Sequence, residues 1–240
     1  IGDDVNGWTA LTKDKVLSIN EAHGKQIKLE TLEENSLGTV TVNGNTGSSS
    51  EKDANNIWTW TSTNPLTLTD NAETSLIVSA HDGTITGEGK ATYKVLLDKN
   101  KPSINITAPS EDLTTENAIN TSPYSLKAVV TDDVGTVSES WYKLTSQALT
   151  TDTEEGIIAD KTSGSGWLKS DTNGTVTVPV SIIEGKSISG NITNKKTSEG
   201  EWYLYIYSID EAGNKSAEKR SFWTDVKAPT LSLTKAPNTA

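Results

Sequence analysis

Carboxylate side chains occur in three separate stretches of the chain, each of which reads as a turn or a linker. They are Asp98 in DKNKP, Asp132 and Asp133 in TDDVG, and Asp210 in SIDEAGN. Ca²⁺ takes roughly six to eight oxygen ligands, and carboxylates from several loops can supply them. If the fold brings the three stretches together, these four aspartates predict a calcium site.

The same aspartates have a simpler interpretation. Asp and Asn are ordinary turn residues, and Lys99 and Lys101 follow Asp98 closely enough to compensate its charge. No contiguous loop has the spacing of an EF-hand. The sequence alone leaves both interpretations open.

Aromatic residues alternate along 202–209, WYLYIYSI. Successive residues of a strand face opposite sides of a sheet, so this strand divides into two sets. The set that begins with Trp202 is predicted to face the core, which leaves Tyr203, Tyr205 and Tyr207 on the outer face. Exposed, they would form a platform for a glycan or a protein partner. The alternative is that they pack beneath a neighbouring lysine stem or loop.

A second aromatic pair, Trp58 and Trp60 in IWTWT, raises the same question because both share one face of a predicted strand. They could extend a binding surface. The pattern favours core tryptophans of a sandwich instead.

Composition disfavours several classes of function. The 240 residues carry a net charge of −11, which repels nucleic-acid phosphates and anionic lipid surfaces. Cysteine is absent, so the sequence excludes disulfides, thiolate metal sites and cysteine nucleophiles. There is no nucleophile elbow, and the acid pair Glu154 and Glu155 lies in a polar stretch. We therefore predict that the chain is not an enzyme.

The chain repeats part of itself. Residues 74–82, TSLIVSAHD, follow the pattern of 202–210, WYLYIYSID, and the linker DKNKP (98–102) recurs as DVKAP (225–229). A repeat of this length indicates tandem domains. The expected divisions are 1–101, 102–226, and a segment at 227–240 that begins a further copy.

Strand patterns dominate the second copy, where we predict strands at 103–108, 124–131, 137–145, 174–182, 202–209 and 217–225. Short strands separated by turn residues indicate an all-β, antiparallel β-sandwich. Two polar stretches, 43–56 and 146–166, are expected to be mobile surface loops.

The string G-x-W-x-L-x-I-x-S-x-D-x-A-G-N, residues 200–214, resembles the signature of bacterial Ig-like repeats, which occur in tandem in surface proteins and adhesins. The resemblance covers the second copy and implies tandem Ig-like sandwiches, with Trp141 as the buried tryptophan of the third strand. The first copy has HDGTITGEGK in place of the loop motif, so it is expected to be atypical, incomplete or interrupted by an insertion.

In an Ig-type sandwich the loops that carry Asp132 and Asp210 lie at one pole, where the incoming linker with Asp98 also arrives. The resemblance therefore brings the acids to one pole, where no cofactor is expected other than a structural Ca²⁺, and the interpretation of the acids as turn residues stays open.

The resemblance also implies an extracellular or bacterial cell-surface location and a structural role. The region would act as a stalk or present a binding surface. Its expected partners are neighbouring repeats and a host or matrix protein or glycan. The alternative function is a carbohydrate- or protein-binding module that is accessory to an extracellular enzyme.

Overall fold

The computed structural model describes residues 1–3, 7–20, 26–32, 37–49, 52–82, 88–181, 199–225 and 227–232. The first-copy loop at 83–87 and most of the segment 227–240 lie outside these ranges. The chain divides into two compact units. Unit 1 consists of Ile1–Lys101 and two short loops, Asp132–Thr136 and Asp210–Asn214. Unit 2 consists of Pro102–Thr131, Val137–Ile209 and Lys215–Ala240.

Both units consist mainly of β-strands, as predicted. The described strands of unit 1 are β1 (Gly2–Asp3), β2 (Gly7–Trp8), β3 (Val16–Ile19), β4 (Lys28–Leu32), β5 (Leu37–Val42), β6 (Gly47–Ser49), β7 (Ile57–Ser62), β8 (Ala72–Asp82) and β9 (Glu88–Leu97). They form a four-stranded sheet of order β3-β9-β8-β5, a three-stranded sheet of order β4-β7-β6, and the small β1-β2 pair. Strand β3 runs parallel to β9, and the other described pairs are antiparallel.

The core of unit 1 contains side chains from both larger sheets. Alternation along β8 turns Leu76 inward, where its side chain is fully buried, while its neighbour Ile77 is 50% exposed. Trp60 of β7 is buried in the same cluster as Leu76 and Val95, so the two sheets share one apolar core.

The described strands of unit 2 are β10 (Ser103–Ala108), β11 (Tyr124–Thr131), β12 (Val137–Thr145), β13 (Leu168–Lys169), β14 (Thr175–Val180), β15 (Gly200–Asp210) and β16 (Lys215–Thr224). Each of the six strands predicted for this copy corresponds to one of them. The short β13 was not predicted. The strands form one sheet of order β10-β11-β14 and another of order β13-β12-β15-β16.

The core of unit 2 also contains side chains from both sheets, with the β15 side chains at its centre. The prediction for this strand is confirmed, because Trp202, Leu204, Ile206 and Ser208 are all at most 1% exposed. They pack with Leu126 and its neighbours from the facing sheet. Burial of apolar side chains from two sheets in one layer provides the main favourable free energy of folding.

Trp141 does not occupy the core position that the family resemblance implies. Ser140 and Leu144, which share the other face of β12, are at most 1% exposed, whereas Trp141 points outward and is half-buried. Its Nε1 donates a hydrogen bond to Glu139 Oε2 at 3.0 Å. The Lys161 ammonium lies 3.8 Å from the Trp141 ring centroid.

The stretch 146–166 is not simply a loop, because it contains the helix α1 (Glu154–Ser163). Thr153 caps its N-terminus by accepting a hydrogen bond from Gly156 N, and Glu154 and Glu155 lie in the first turn, where acids favour a helix. The buried Ile157 anchors it. These capping signals were present in the sequence, but short polar helices of this kind depend on tertiary packing.

The stretch 43–56 is also more ordered than expected in its described part. Asn43 and Gly44 have positive φ angles of 49° and 77°, as the turn of a tight hairpin requires. The chain then continues into β6, which pairs with β7. Asp53 Oδ1 accepts hydrogen bonds from the backbone N–H groups of Asn55 and Ile57 at 2.8 and 2.9 Å.

The neighbours Leu76 and Ile77 provide a test of the unit 1 core. Leu76→Ala is expected to lower the free energy of unfolding of unit 1 by about 2–5 kcal/mol, because it leaves a cavity in a packed core. Ile77→Ala, on the exposed face of the same strand, is expected to cost less than about 1 kcal/mol. Urea unfolding followed by tryptophan fluorescence measures both. Equal losses in the two variants would contradict the assignment of the inward face.

Candidate metal centre

Three of the four predicted aspartates come together in unit 1. Asp98 follows β9, Asp132 follows β11, and Asp210 is the last residue of β15. Each of the three offers one carboxylate oxygen, and these oxygens all lie within 4.8 Å of one another. Asp98 and Asp210 are buried and Asp132 is half-buried. We call these three side chains the aspartate cluster.

The DEAGN sequence holds Asp210 in a turn of its own backbone. Asp210 Oδ1 accepts hydrogen bonds from Gly213 N at 2.7 Å and Asn214 N at 2.9 Å. Gly213 has a φ of 95°, which an L side chain rarely adopts, and this explains the glycine in the motif. The amide Nδ2 of Asn214 donates to Asp210 Oδ2 at 2.9 Å.

A second turn holds Asp132. Its Oδ1 accepts hydrogen bonds from Val134 N at 3.0 Å and Gly135 N at 2.7 Å. Its Oδ2 is buried and has no hydrogen-bond partner among the described residues. The turn therefore fixes one oxygen of the carboxylate and leaves the other without a donor.

Asp98 is arranged in the same way. Its Oδ1 accepts a hydrogen bond from Asn100 N at 3.0 Å. Its backbone oxygen accepts from Asn214 Nδ2 at 2.9 Å, so Asn214 bridges Asp98 and Asp210. Its Oδ2 is buried without a hydrogen-bond partner in the part of the chain that the structure describes, and the residue as a whole is 0% exposed.

Gly135 allows the turn that holds Asp132 to lie close to the Asp98 carboxylate. A Cβ atom at position 135 would lie 2.7 Å from Asp98 Oδ2 and 3.7 Å from Asp132 Oδ1. The first distance is well below van der Waals contact, so any side chain there would displace the Asp98 carboxylate. The glycine in TDDVG thus serves the cluster as well as the turn.

Like charges and burial act together at Asp98. Burial raises the pKa of the Asp98 carboxyl, and the nearby charges of Asp132, Asp210 and Asp133 raise that pKa further, while the hydrogen bond from Asn100 N opposes the shift. Removing an ionised carboxylate from water is costly unless an opposite charge compensates it.

Lysine compensation, the simpler interpretation of the aspartates, does not hold for Lys99. Its ammonium lies 2.8 Å from Asp70 Oδ1, and both side chains are largely exposed. Hydrogen bonds from Asn71 to Asn100 and from Lys99 N to Asn71 order the same turn.

Asp133 does not join the aspartate cluster. Its side chain is exposed, and both of its oxygens accept from Asn100 Nδ2 at 3.1 Å. The predicted set of four acids is thus three clustered carboxylates and one peripheral carboxylate that affects the cluster through its charge. Adjacent residues of a turn point in different directions, and the sequence does not show which of the two acids faces inward.

The predicted tyrosine platform is not exposed. Tyr205 is fully buried and Tyr207 is 6% exposed, and only Tyr203 is half-buried. Ile157 of α1 packs on Tyr205, and Trp167 meets Tyr207 edge-on at 6.4 Å between ring centroids. The alternative interpretation, packing beneath a neighbouring segment, is what the structure contains.

Polar contacts fasten the covering segment to this face. The Tyr205 hydroxyl accepts a hydrogen bond from Leu149 N at 3.0 Å. The Asp160 carboxylate of α1 accepts hydrogen bonds from Lys143 Nζ at 2.6 Å and from Trp167 Nε1 at 2.8 Å. The same burial raises the pKa of Tyr205 and Tyr207.

The two tryptophans of β7, Trp58 and Trp60, lie in different environments. Trp60 is 1% exposed in the core of unit 1, as the pattern favours. Trp58 is half-buried. A surface formed by both indole rings is therefore absent from the described strand.

Sequence reasoning missed the residues that organise the cluster, which are Asn100, Asn214 and Gly135. Two of them carried a signal. Asn214 closes the D-x-A-G-N motif, and Gly135 closes TDDVG. Each was interpreted as a turn residue, and the additional contact of each with Asp98 joins positions that are far apart in the chain.

Comparison with known proteins gives no match, either to a protein family or to an individual curated protein. Within the described ranges, no helix is long and apolar enough to cross a membrane.

Replacing Asp98 with Asn tests the charge repulsion in the cluster. In the presence of chelator at neutral pH, Asp98→Asn is expected to raise the melting temperature by about 2–4 °C, the shift that ~1 kcal/mol gives in a chain of this size. The Asn oxygen can still accept from Asn100 N, while the buried charge is removed. Circular dichroism during heating measures the shift.

The advantage of Asp98→Asn is also expected to depend on pH. A raised pKa in the folded state means that the buried charge destabilises the wild type fully above that pKa. The cost fades as the pH falls towards the ordinary Asp value of about 3.9. The two melting curves should therefore converge in acid. A lower melting temperature for Asp98→Asn in chelator at neutral pH would contradict the repulsion.

The Tyr205 hydroxyl provides a separate test of the covered face. Tyr205→Phe is expected to lower the free energy of unfolding of unit 2 by about 1–3 kcal/mol, because Leu149 N loses its acceptor in a partly buried position. Tyr124→Phe, in the other sheet of unit 2, serves as the comparison. Urea unfolding measures both, and unchanged stability of Tyr205→Phe would show that the segment is held in another way.

Proposed function

We propose that this chain is part of a structural repeat region of a bacterial surface or secreted protein, built from tandem Ig-like sandwiches that act as a stalk or spacer. The observation that carries the proposal is the strand order of unit 2. In chain order, its first, second and fifth strands form one sheet, and its third, sixth and seventh strands lie side by side in the other. An Ig-type sandwich divides its strands in this way.

Unit 1 supports the same assignment. We count its strands from β3 as the first to β9 as the seventh. The second, fourth and fifth strands form one sheet, and the first, third, sixth and seventh strands form the other. The division between the two sheets matches that of unit 2 for five of the seven strands. The first copy departs from the loop motif at 83–87, yet it supplies strands on both sides of that loop.

The linkers support a tandem arrangement. Asp98 Oδ1 accepts a hydrogen bond from Asn100 N at 3.0 Å, and Asp225 Oδ1 accepts one from Lys227 N at 3.1 Å. The two D-x-x-x-P segments thus begin with the same turn, in which an aspartate accepts from the backbone two residues later. Repeated local structure at the ends of two similar units is typical of a domain array.

A spacer requires folded units but no exposed recognition site. The tyrosines expected to form a platform are covered by the segment that contains α1, which weakens the alternative of a carbohydrate- or protein-binding module. The assignment to a bacterial surface, with neighbouring repeats as partners in the same chain, depends on the sequence motif of residues 200–214.

A replacement experiment in the full-length protein tests the proposal. Deleting residues 1–226 is expected to bring the remainder of the protein closer to its anchor and lower its accessibility to antibody or ligand. Replacing them with two unrelated β-sandwich domains of similar length is expected to restore that accessibility, because a spacer contributes length and rigidity. Antibody binding to an epitope beyond the region measures both.

The binding-module alternative predicts a different result. The replacement would then fail as completely as the deletion, although the protein is exported normally. The isolated 240-residue chain would also give a specific signal on a glycan array or compete with the whole protein for its partner. Either result would contradict a purely structural role.

A further inference from the structure

Two carboxylate oxygens of the aspartate cluster lack a hydrogen-bond partner among the described residues. Asp98 Oδ2 and Asp132 Oδ2 are both buried, and neither has a hydrogen-bond partner among the residues described. Asp98 itself is 0% exposed. A buried polar atom of this kind needs a ligand or a proton to offset the free energy lost when water is removed.

We propose that Asp98, Asp132 and Asp210 bind a divalent metal cation, and that this cation is Ca²⁺. The proposal adds a ligand to the molecule and does not depend on its assignment as a spacer. It rests on the position of three carboxylates, on the unpartnered oxygens of Asp98 and Asp132, and on the turns that hold the three side chains.

The spacing of the three carboxylates fits one cation. Ca²⁺ binds oxygens at about 2.3–2.6 Å, so two ligands of the same ion can be up to about 5 Å apart. One oxygen from each aspartate lies within 4.8 Å of the others. A single ion can therefore contact all three, and the remaining positions are open to their second oxygens, to backbone oxygens and to water.

The turns prepare these oxygens for a ligand. In both Asp98 and Asp132, backbone N–H groups bind Oδ1 and leave Oδ2 unpartnered. Asn214 Nδ2 joins the Asp98 backbone to the Asp210 carboxylate. The carboxylates are thus held in place before a cation arrives, which reduces the conformational entropy lost on binding.

The charge balance favours a divalent ion over a proton as the partner. Three ionised carboxylates carry three negative charges, and a divalent cation leaves the cluster with one. A proton on Asp98 would remove a single charge and partner only one of the two orphan oxygens. The proton is therefore the alternative that the experiment must exclude.

The chemical type of the three ligand atoms indicates which metal the cluster would bind. All three side chains offer oxygen, without the imidazole or thiolate ligands that zinc and other transition metals favour. Mg²⁺ demands near-octahedral ligands at about 2.0–2.1 Å and gives up its water reluctantly. Three carboxylates on separate turns suit the larger and less demanding Ca²⁺.

Calcium titration of the whole 240-residue protein, freed of metal by chelator, tests the proposal. Isothermal calorimetry with CaCl₂ is expected to give one site. At a calcium concentration about 100 times the measured Kd, the melting temperature of the 240-residue chain is expected to rise by about 5–10 °C relative to chelator. MgCl₂ at the same concentration is expected to give a much smaller shift.

Two isosteric variants locate the site. Asp132→Asn keeps the Oδ1 acceptor for its turn and replaces the orphan oxygen with an amide, and Asp98→Asn does the same at the second position. Both are expected to remain folded in chelator and to lose at least about tenfold in calcium affinity, the equivalent of 1.4 kcal/mol. The surface variant Asp70→Asn is expected to bind as the wild type does.

Asp133→Asn decides between three and four protein ligands. Since Asp133 is exposed and accepts from Asn100, this variant is expected to keep most of the affinity. A loss as large as that of Asp132→Asn would overturn the three-aspartate assignment.

Two results would overturn the site itself. One is the absence of heat and of any melting shift in about 5 mM calcium, a concentration above the Kd range of extracellular calcium modules. That result would assign the orphan oxygens to protonation. The other is an undiminished shift in both Asp98→Asn and Asp132→Asn, which would place the calcium elsewhere on the acidic surface.

Discussion

Burial on both faces of β15 is the constraint on which most of unit 2 depends. One face of this strand places Trp202, Leu204 and Ile206 in the core between the two sheets. The other face carries tyrosines that pack with α1 and Trp167. A strand buried on both faces cannot shift its register by one residue without exposing one apolar set and misplacing the other. Its pairing with β16 is correspondingly regular from Gly200 to Ile209.

Asp210 is the last residue of that strand. The chain leaves β15 at Asp210 and turns at once, with Gly213 and Asn214 donating to its carboxylate. Well-packed strands can support a local arrangement that is unfavourable by itself, and the aspartate cluster is such an arrangement. Like charges gathered at a buried position destabilise the folded state unless an opposite charge compensates them, which is why this cluster is the candidate site.

Features set by residues close together in the sequence could be predicted, and features set by contacts between distant residues could not. The inward set of β15 and the strands of unit 2 could be predicted because alternation and turn residues are encoded within a few positions. The helix α1 was missed because its polar sequence has weak helical preference, and Ile157 stabilises it through tertiary packing in the cluster that contains Tyr205 and Ala217. Trp141 was misplaced for a related reason, since the partner that covers it, Lys161, lies on the unpredicted helix.

By itself, the sequence determined which residues alternate, where the chain turns, and that acids occur at several of those turns. The glycine at position 213 permits the positive φ that this local turn adopts. Tertiary structure decided that the tyrosine face of β15 would be covered as well, and that Asp132 rather than Asp133 would approach Asp98. Those outcomes depend on contacts between residues far apart in the chain, such as Asn214 with Asp98, and local patterns carry no information about which distant segments will meet.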